Sequence, residues 1–187
     1  MFKLLMKTLT VLLTAGTLTC LTGQSSSAAT VTPTWGHWNS LTITYHCASK
    51  STYYRDVWQR AIRQWNNTGV VRLRAVSAGQ KADIELTSAQ SITRAQVFAG
   101  YTDYSYYQRP HDNRIVSAKS ILNRGILTGY RYTKTQRVNV ATHELGHALG
   151  LSHSQDKHSV MNATNRYATI SSQDKVALRG AYAHQRA

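Results

Sequence analysis

Alternating apolar and polar residues predict most of the strands in this chain. The β-branched run at residues 41–47 predicts a first strand, and residues 70–76 and 82–87 predict two more. A Gly-, Ala- and Tyr-rich stretch between residues 97 and 107 predicts a short edge strand followed by a loop. Residues 115–123 alternate well enough to predict another strand.

Three stretches have the apolar spacing and the capping residues of helices. Ser51 can cap a helix over residues 52–66, and Thr133 can cap a long helix that ends near Leu149. A last helix is predicted from Ser171 to about residue 183, with Ser171 and Asp174 placed as a capping box. The order of strands and helices predicts an α+β fold, an α/β sandwich, in one domain.

The first 29 residues have the pattern of a signal peptide. Lys3 and Lys7 precede a mostly apolar, Thr-interrupted run, and the small residues at 25–29 fit cleavage after Ala29. An uncleaved membrane anchor is the alternative, but a membrane-spanning helix needs about 20 mainly apolar residues and this run is shorter. The sequence therefore predicts a signal peptide at 1–29, a catalytic domain at 30–187 and a secreted protein.

Composition adds two constraints to this domain. Cys47 is the one cysteine after the leader, so no internal disulfide is expected. We interpret Cys47 as a small buried hydrophobic residue. Of the 22 Lys and Arg, 20 lie after residue 29 against 8 Asp and Glu, a formal excess of +12. Such a surface favours adhesion to polyanions, including anionic cell-wall polymers. The cations form no dense cluster and no nucleic-acid motif, so specific nucleic-acid binding is not predicted.

The segment at residues 143–153, HELGHALGLSH, carries the candidate chemistry. Residues four apart lie one turn apart on the same helix face, so His143 and His147 can present two imidazoles to one ion. Gly150 can adopt a left-handed conformation at the helix end, which turns the chain back and brings in His153. Three imidazoles and one open position are typical of a catalytic zinc site.

Glu144 lies beside the first of these histidines and reaches a zinc-bound water rather than the metal. Zinc lowers the pKa of such a water to ~7, so Glu144 can take its proton as the water attacks a carbonyl. The protonated carboxyl can then pass the proton to the leaving amine. These residue types at this spacing predict a zinc-dependent endopeptidase with Glu144 as its catalytic base.

At these residues the sequence resembles the metzincin clan of zinc peptidases, and within it the matrixin group. The resemblance rests on the three histidines, on Ser154 after the third of them, and on Met161 in the following SVMN segment. It implies a zincin fold, with a twisted, mostly parallel sheet, two large helices and a C-terminal helix after a methionine turn. It also implies one catalytic zinc and a protein or peptide substrate bound along an edge strand. Met161 would form the hydrophobic floor beneath the ligands.

Several departures from that pattern bear on the details. Asn162 follows the methionine where matrixins commonly have proline, which leaves the shape of the specificity pocket open. A second zinc is not predicted, because the corresponding loop offers only Asp103, His111 and Asp112. Calcium is weakly supported by so few acidic residues. Nothing indicates more than a monomer. Tyr167 and His158 are weaker candidates for the surroundings of the site.

Two other functions remain as alternatives. One is a zinc hydrolase acting on cell-wall peptides, which the basic surface would favour. The other is a non-catalytic cationic binding protein on the same scaffold, although the intact Glu144 argues against it.

Overall fold

The structure is a computed structural model that describes residues 31–93, 96–108 and 113–185. The predicted signal peptide at 1–29 therefore lies outside the described residues, as do His111 and Asp112. No helix within the described ranges is long and apolar enough to cross a membrane.

Five strands and four α-helices make up the described chain, followed by a 3₁₀ turn at Ala183–Gln185. The strands are β1 Thr42–Cys47, β2 Arg72–Ala75, β3 Ile84–Ala89, β4 Gly100–Tyr107 and β5 Arg114–Asn123. The helices are α1 Thr52–Asn66, α2 Arg124–Gly129, α3 Lys134–Ala148 and α4 Ser172–Ala181.

The strands form one mixed sheet in the order β2-β1-β3-β5-β4. The pairs β1–β2, β1–β3 and β3–β5 are parallel, and only β4 runs antiparallel, to β5. Because β4 is the last strand in this order, its outer edge is left unpaired within the described sheet. The predicted α+β fold with a mostly parallel sheet is confirmed.

The core lies between the sheet and the two long helices. The apolar face of α1 buries Trp58 and Trp65 completely, and the facing strands bury Ile43, Ile84 and Leu86. Trp65 fastens α1 to α3, because its Nε1 donates to the carbonyl oxygen of Thr142 at 2.9 Å. This contact holds α3 against the core and so fixes the position of the residues on the opposite face of α3.

The sequence predictions need three corrections. The stretch expected to hold a short edge strand and a loop contains β4, an eight-residue strand paired to β5 along its length. The turn expected before Thr133 contains α2, a short helix capped by Asn123. The sequence did not reveal this helix, because its six residues are too few to show a helical periodicity. Cys47 is a free cysteine of intermediate burial rather than a fully buried hydrophobe, because it lies at the end of β1.

Candidate metal centre

Helix α3 supplies the first half of the site. Its N-terminus is closed by a capping box in which Gln136 N–H donates to Thr133 Oγ1 at 3.3 Å and Thr133 N–H donates to Gln136 Oε1 at 2.9 Å. Such reciprocal bonds satisfy amide groups that would otherwise lack partners at the helix start. The buried face of α3 includes Ala141, Leu145 and Ala148. His143 and His147 lie one turn apart and face the cavity on the other side.

The helix ends at Gly150 in a Schellman motif. Gly150 has a φ of +97°, Leu151 N–H donates to Gly146 O at 3.0 Å, and Gly150 N–H donates to His147 O at 3.0 Å. These are the two bonds that define this helix terminus. A Cβ on Gly150 would lie 1.9 Å from the carbonyl oxygen of Gly36, so glycine is required both for the backbone angle and for close packing. The sharp turn leads the chain back to His153.

The three histidines converge on one point. The Nε2 atom of His147 lies 3.1 Å from Nε2 of His143 and 3.1 Å from Nε2 of His153. The three ligand atoms, one from each ring, all lie within 4.8 Å of one another. Among the described residues, this is the one cluster of three or more His, Cys, Asp or Glu side chains that could hold a metal ion. Separations of this size approach the ~3.3 Å expected between tetrahedral ligands with bonds of about 2.0–2.1 Å.

Backbone carbonyls set which ring nitrogen faces the centre. His143 Nδ1 lies 2.7 Å from Val160 O, and His147 Nδ1 lies 2.9 Å from Leu151 O. Because a carbonyl only accepts, each Nδ1 carries the proton and each Nε2 directs a lone pair inward. Desolvation lowers the pKa of His143 to about 4 and that of His147 to about 3, so both rings are neutral at pH 7. Convergent neutral imidazoles are the donor set that zinc prefers.

Glu144 is almost fully buried beside these rings, with 5% of its surface exposed. Its Oε2 accepts a hydrogen bond from Thr102 Oγ1 at 2.7 Å. Burial raises the pKa of Glu144 to about 7, against the opposing effect of the Thr102 bond. Gly100 leaves space for this carboxylate, since a Cβ there would lie 2.6 Å from Glu144 Oε1.

Thr102 and Gly100 were not identified from the sequence. Both lie on β4, and Thr102 is 42 positions from Glu144. A small residue and a hydroxyl in a strand are ordinary, so only the packing of β4 next to α3 reveals their contact with the carboxylate. No local sequence signal could have found them.

Met161 lies directly beneath the helix that carries two of the histidines. Its side chain is completely buried, and a Cβ on Gly146 would lie 2.2 Å from the Met161 sulfur. Gly146 therefore permits the close contact between the methionine and α3. The apolar floor expected at Met161 stays a prediction, and the structure shows its side chain packed against the helix that carries two of the histidines.

Helix α4 fixes the segment that leads into Met161. The buried Asp174 accepts from Ser159 Oγ at 2.6 Å and from Val160 N–H at 3.1 Å. Val160 O in turn receives the Nδ1 proton of His143. The predicted capping box of Ser171 and Asp174 is present, and the same carboxylate thereby supports a candidate metal ligand.

One cavity of about 540 Å³ contains the three histidines and Glu144. Its walls come from the N-terminal segment, β4, α3 and residues 160–166, and include Trp35, Tyr101, Thr102, Tyr104, Tyr132, Asn139, Val140, Asn162 and Arg166. Part of the Tyr-rich run at 101–107 thus borders the cleft. The two weaker candidates do not: Tyr167 is 67% exposed, and neither it nor His158 lines the cavity.

Comparison with known proteins gives one clear result. The family model for matrixins, peptidase family M10, matches residues 37–183. No curated protein matches the chain significantly by sequence. The match covers all five strands, the four helices and every cavity-lining residue except Trp35, and it supports a zinc metallopeptidase.

Proposed function

From the premise that the chain belongs to the matrixin family, we propose that it is a zinc-dependent endopeptidase that cleaves proteins or peptides outside the cell. The observation that carries the proposal is the convergence of three imidazole nitrogens beside a buried carboxylate in one open cavity. His143, His147 and His153 would hold the ion. A bound zinc supplies Lewis acidity, which activates water and polarises a carbonyl group.

Glu144 performs the proton transfers. With a pKa raised to about 7, its carboxyl can both accept and release a proton near neutral pH. Thr102 holds one oxygen, Oε2, which leaves Oε1 to take a proton from the attacking water and to deliver it to the leaving amine. The buried position excludes competing solvent from the carboxylate.

The β4 edge and the cavity position the substrate. An extended peptide can add to an unpaired strand edge through main-chain hydrogen bonds, with alternate side chains directed into pockets. The cavity beside β4 is large enough for a side chain from such a peptide. Internal peptide bonds are the expected targets because the strand edge continues on both sides of Thr102.

Export is part of the proposal and depends on the leader pattern at residues 1–29, which lies outside the described residues. The formal excess of +12 after the leader favours retention on anionic wall polymers once the protein is exported. Casein and purified cell-wall material, assayed side by side, separate a protein substrate from wall peptides.

The test compares the wild type with Glu144→Ala for bound zinc and for cleavage of a quenched-peptide library. We expect about one zinc per chain in both proteins and a fall in kcat of roughly 10³-fold or more in the variant, because proton transfer typically contributes about 10²–10⁴. Zinc binding without any cleavage by the wild type would contradict the endopeptidase and leave the wall-peptide hydrolase and the binding protein as the alternatives. Failure of both proteins to bind zinc would contradict the metal centre itself.

A further inference from the structure

The wall of the cavity contrasts in charge with the rest of the protein. Although 20 Lys and Arg follow residue 29, Arg166 is the one Lys or Arg among the described residues that line the cavity. The carboxylate in the lining is that of Glu144, which is already bonded to Thr102. Arg166 is therefore a specific feature of the cavity and not simply a consequence of the many basic residues on the surface.

Two tyrosine rings hold the Arg166 guanidinium. Its Cζ lies 4.5 Å from the centroid of the Tyr132 ring and 5.4 Å from that of the Tyr167 ring. Its Nη2 also donates a hydrogen bond to the Tyr167 hydroxyl at 3.4 Å. Stacking on an aromatic face restrains a guanidinium while leaving donors in its plane free to bind. The rings thus orient the fork before any ligand arrives.

No carboxylate of the described residues pairs with this guanidinium. Two carboxylates elsewhere do pair with cations: Asp56 pairs with Arg60 and Lys134, and Glu85 pairs with Lys119. A guanidinium fork fits a carboxylate through two parallel hydrogen bonds. Arg166 therefore offers, in the cavity wall, a binding geometry that the described chain does not itself fill.

The backbone of Arg166 is fixed close to the metal centre. Its carbonyl oxygen accepts from Asn139 Nδ2 at 3.0 Å, and Asn139 lies one helical turn before His143 on α3. One turn is about 5–6 Å along the helix axis, a distance that an extended peptide spans in roughly two residues. A substrate group that meets the Arg166 side chain is thus within a few residues of the bond to be cut.

We propose that Arg166 is a specificity-determining residue that selects substrates with a carboxylate within a few residues of the scissile bond, on the Asn139 side of the cavity. This inference rests on the proposed peptidase function. The carboxylate can be an acidic side chain or the C-terminus of a short peptide, and both have the same chemistry toward the fork.

The test uses matched fluorogenic peptides in which Glu is replaced by Gln at one position at a time, each with a free or an amidated C-terminus. For the wild type we expect kcat/KM to favour Glu over Gln at one position by on the order of tenfold at low salt. The ratio should fall to about 1 in Arg166→Gln and weaken in about 0.5 M NaCl. Arg179→Gln, an exposed arginine of α4 outside the cavity, is the matched control and should keep the wild-type ratio.

The two sources of the carboxylate give different results. A preference for Glu in amidated peptides identifies an acidic side chain, whereas a preference for the free acid over the amide, without a Glu effect, identifies the C-terminus. Arg166→Lys, which keeps the charge without the fork, should recover only part of either preference. If Arg166→Gln keeps the wild-type ratio, the proposal is overturned while peptidase activity stands.

A binding measurement separates this inference from the proposed function. The Glu and Gln peptides can be titrated into Glu144→Ala, with and without Arg166→Gln, and followed by fluorescence anisotropy. Tighter binding of the Glu peptide that requires Arg166 supports the selection even if turnover is never seen. The proposal is overturned if, in the presence of Arg166, the Glu and Gln peptides bind equally and the free-acid and amidated peptides also bind equally.

Discussion

Helix α3 and the segment at residues 150–171 contribute to the same site in different ways. The helix presents His143, Glu144 and His147 from one regular element with a capped start and a buried face. The following segment adds His153, the carbonyl of Val160, Met161 and Arg166. It contains neither a helix nor a strand, and its β-pairing is limited to isolated bridges such as those at Leu151 and Ser159.

Distant partners hold that segment in place instead. Trp35 N–H donates to Gly150 O at 2.8 Å, Ser152 N–H donates to Pro33 O at 2.8 Å, and Asn139 donates to Arg166 O. Asp174 holds Ser159 and Val160 from the other side. The helical half of the site is thus specified by local pattern, whereas the irregular half depends in addition on contacts between residues far apart in the chain.

Replacing the glycine at the junction of the two regions should have the largest effect. In Gly150→Ala, the new Cβ meets the Gly36 carbonyl at 1.9 Å and the backbone must keep a φ of +97°. The left-handed conformation costs about 1–2 kcal/mol and overpacking adds about 1–3 kcal/mol. We expect the free energy of unfolding to fall by about 2–5 kcal/mol and zinc affinity to fall with it, measured by urea denaturation and metal titration.

Gly79→Ala is the matched control for this substitution. Gly79 also has a positive φ, of +89°, but a Cβ there meets nothing within 4 Å. It should lose only the backbone contribution of about 1–2 kcal/mol and retain zinc. Equal losses in the two variants would show that the close packing of the N-terminal segment against Gly150 is unimportant.

The second prediction concerns the pH dependence of the helical half in the zinc-free protein. The pKa of His143 is lowered to about 4 and that of His147 to about 3, from 6.5. Their contribution to stability is therefore complete above about pH 6.5 and is lost as the pH falls through the folded values. With a chelator present, we expect urea denaturation to show a loss on the order of 2 kcal/mol between about pH 7 and pH 4.

Glu144 acts in the opposite direction and provides the control. Its pKa is raised from 4.5 to about 7, so its contribution is complete below pH 4.5 and is lost as the pH rises through 7. Glu144→Gln removes this contribution and should make the loss on acidification steeper. His147→Gln should make it shallower. A zinc-free protein whose stability is constant over this range would contradict the assignment of buried neutral imidazoles.

The same contrast explains how much could be predicted from sequence. The i, i+4 spacing of His143 and His147, the cap at Thr133 and the glycine at 150 follow from helix geometry, and the structure places all of them as that geometry requires. The helix capped by Ser51 and the capping box at Ser171 were found for the same reason. Each of these features is determined by residues within a few positions of one another.

Features that depend on tertiary packing could not be predicted. The full length of β4 depends on its pairing with β5, because its Gly- and Tyr-rich sequence lacks clear alternation. The Thr102–Glu144 bond joins two elements 42 residues apart, and the support of His143 by Asp174 passes through Val160. Arg166 is one of many cations in the sequence, and only the fold places it in the cavity.

The smallest predicted effect concerns Thr102 of β4. It tests whether the Glu144 carboxylate on α3 needs this neighbouring strand to be oriented for catalysis. Thr102→Val keeps the shape of the side chain but removes the hydroxyl that holds Glu144 Oε2 at 2.7 Å. A hydrogen bond to a charged group contributes about 1.5–3 kcal/mol, and Glu144, with a pKa of about 7, is only partly ionised at neutral pH. The lower end of that range corresponds to a fall in kcat of roughly tenfold, while KM and zinc content should change little. Thr102→Ser retains the hydroxyl and should recover most of kcat.

A merely structural role for Thr102 would produce a different pattern. The hydroxyl also lies 3.0 Å from Ser120 Oγ, so loss of that contact would lower the melting temperature in Thr102→Val without a selective change in kcat. Ser120→Ala removes the Ser120 contact and leaves the bond to Glu144, which makes it the matched control. If Ser120→Ala and Thr102→Val lower kcat equally, Thr102 stabilises the sheet rather than the carboxylate. If only Thr102→Val does so, the orientation of the helical carboxylate depends on the edge strand, and the two elements form one catalytic unit.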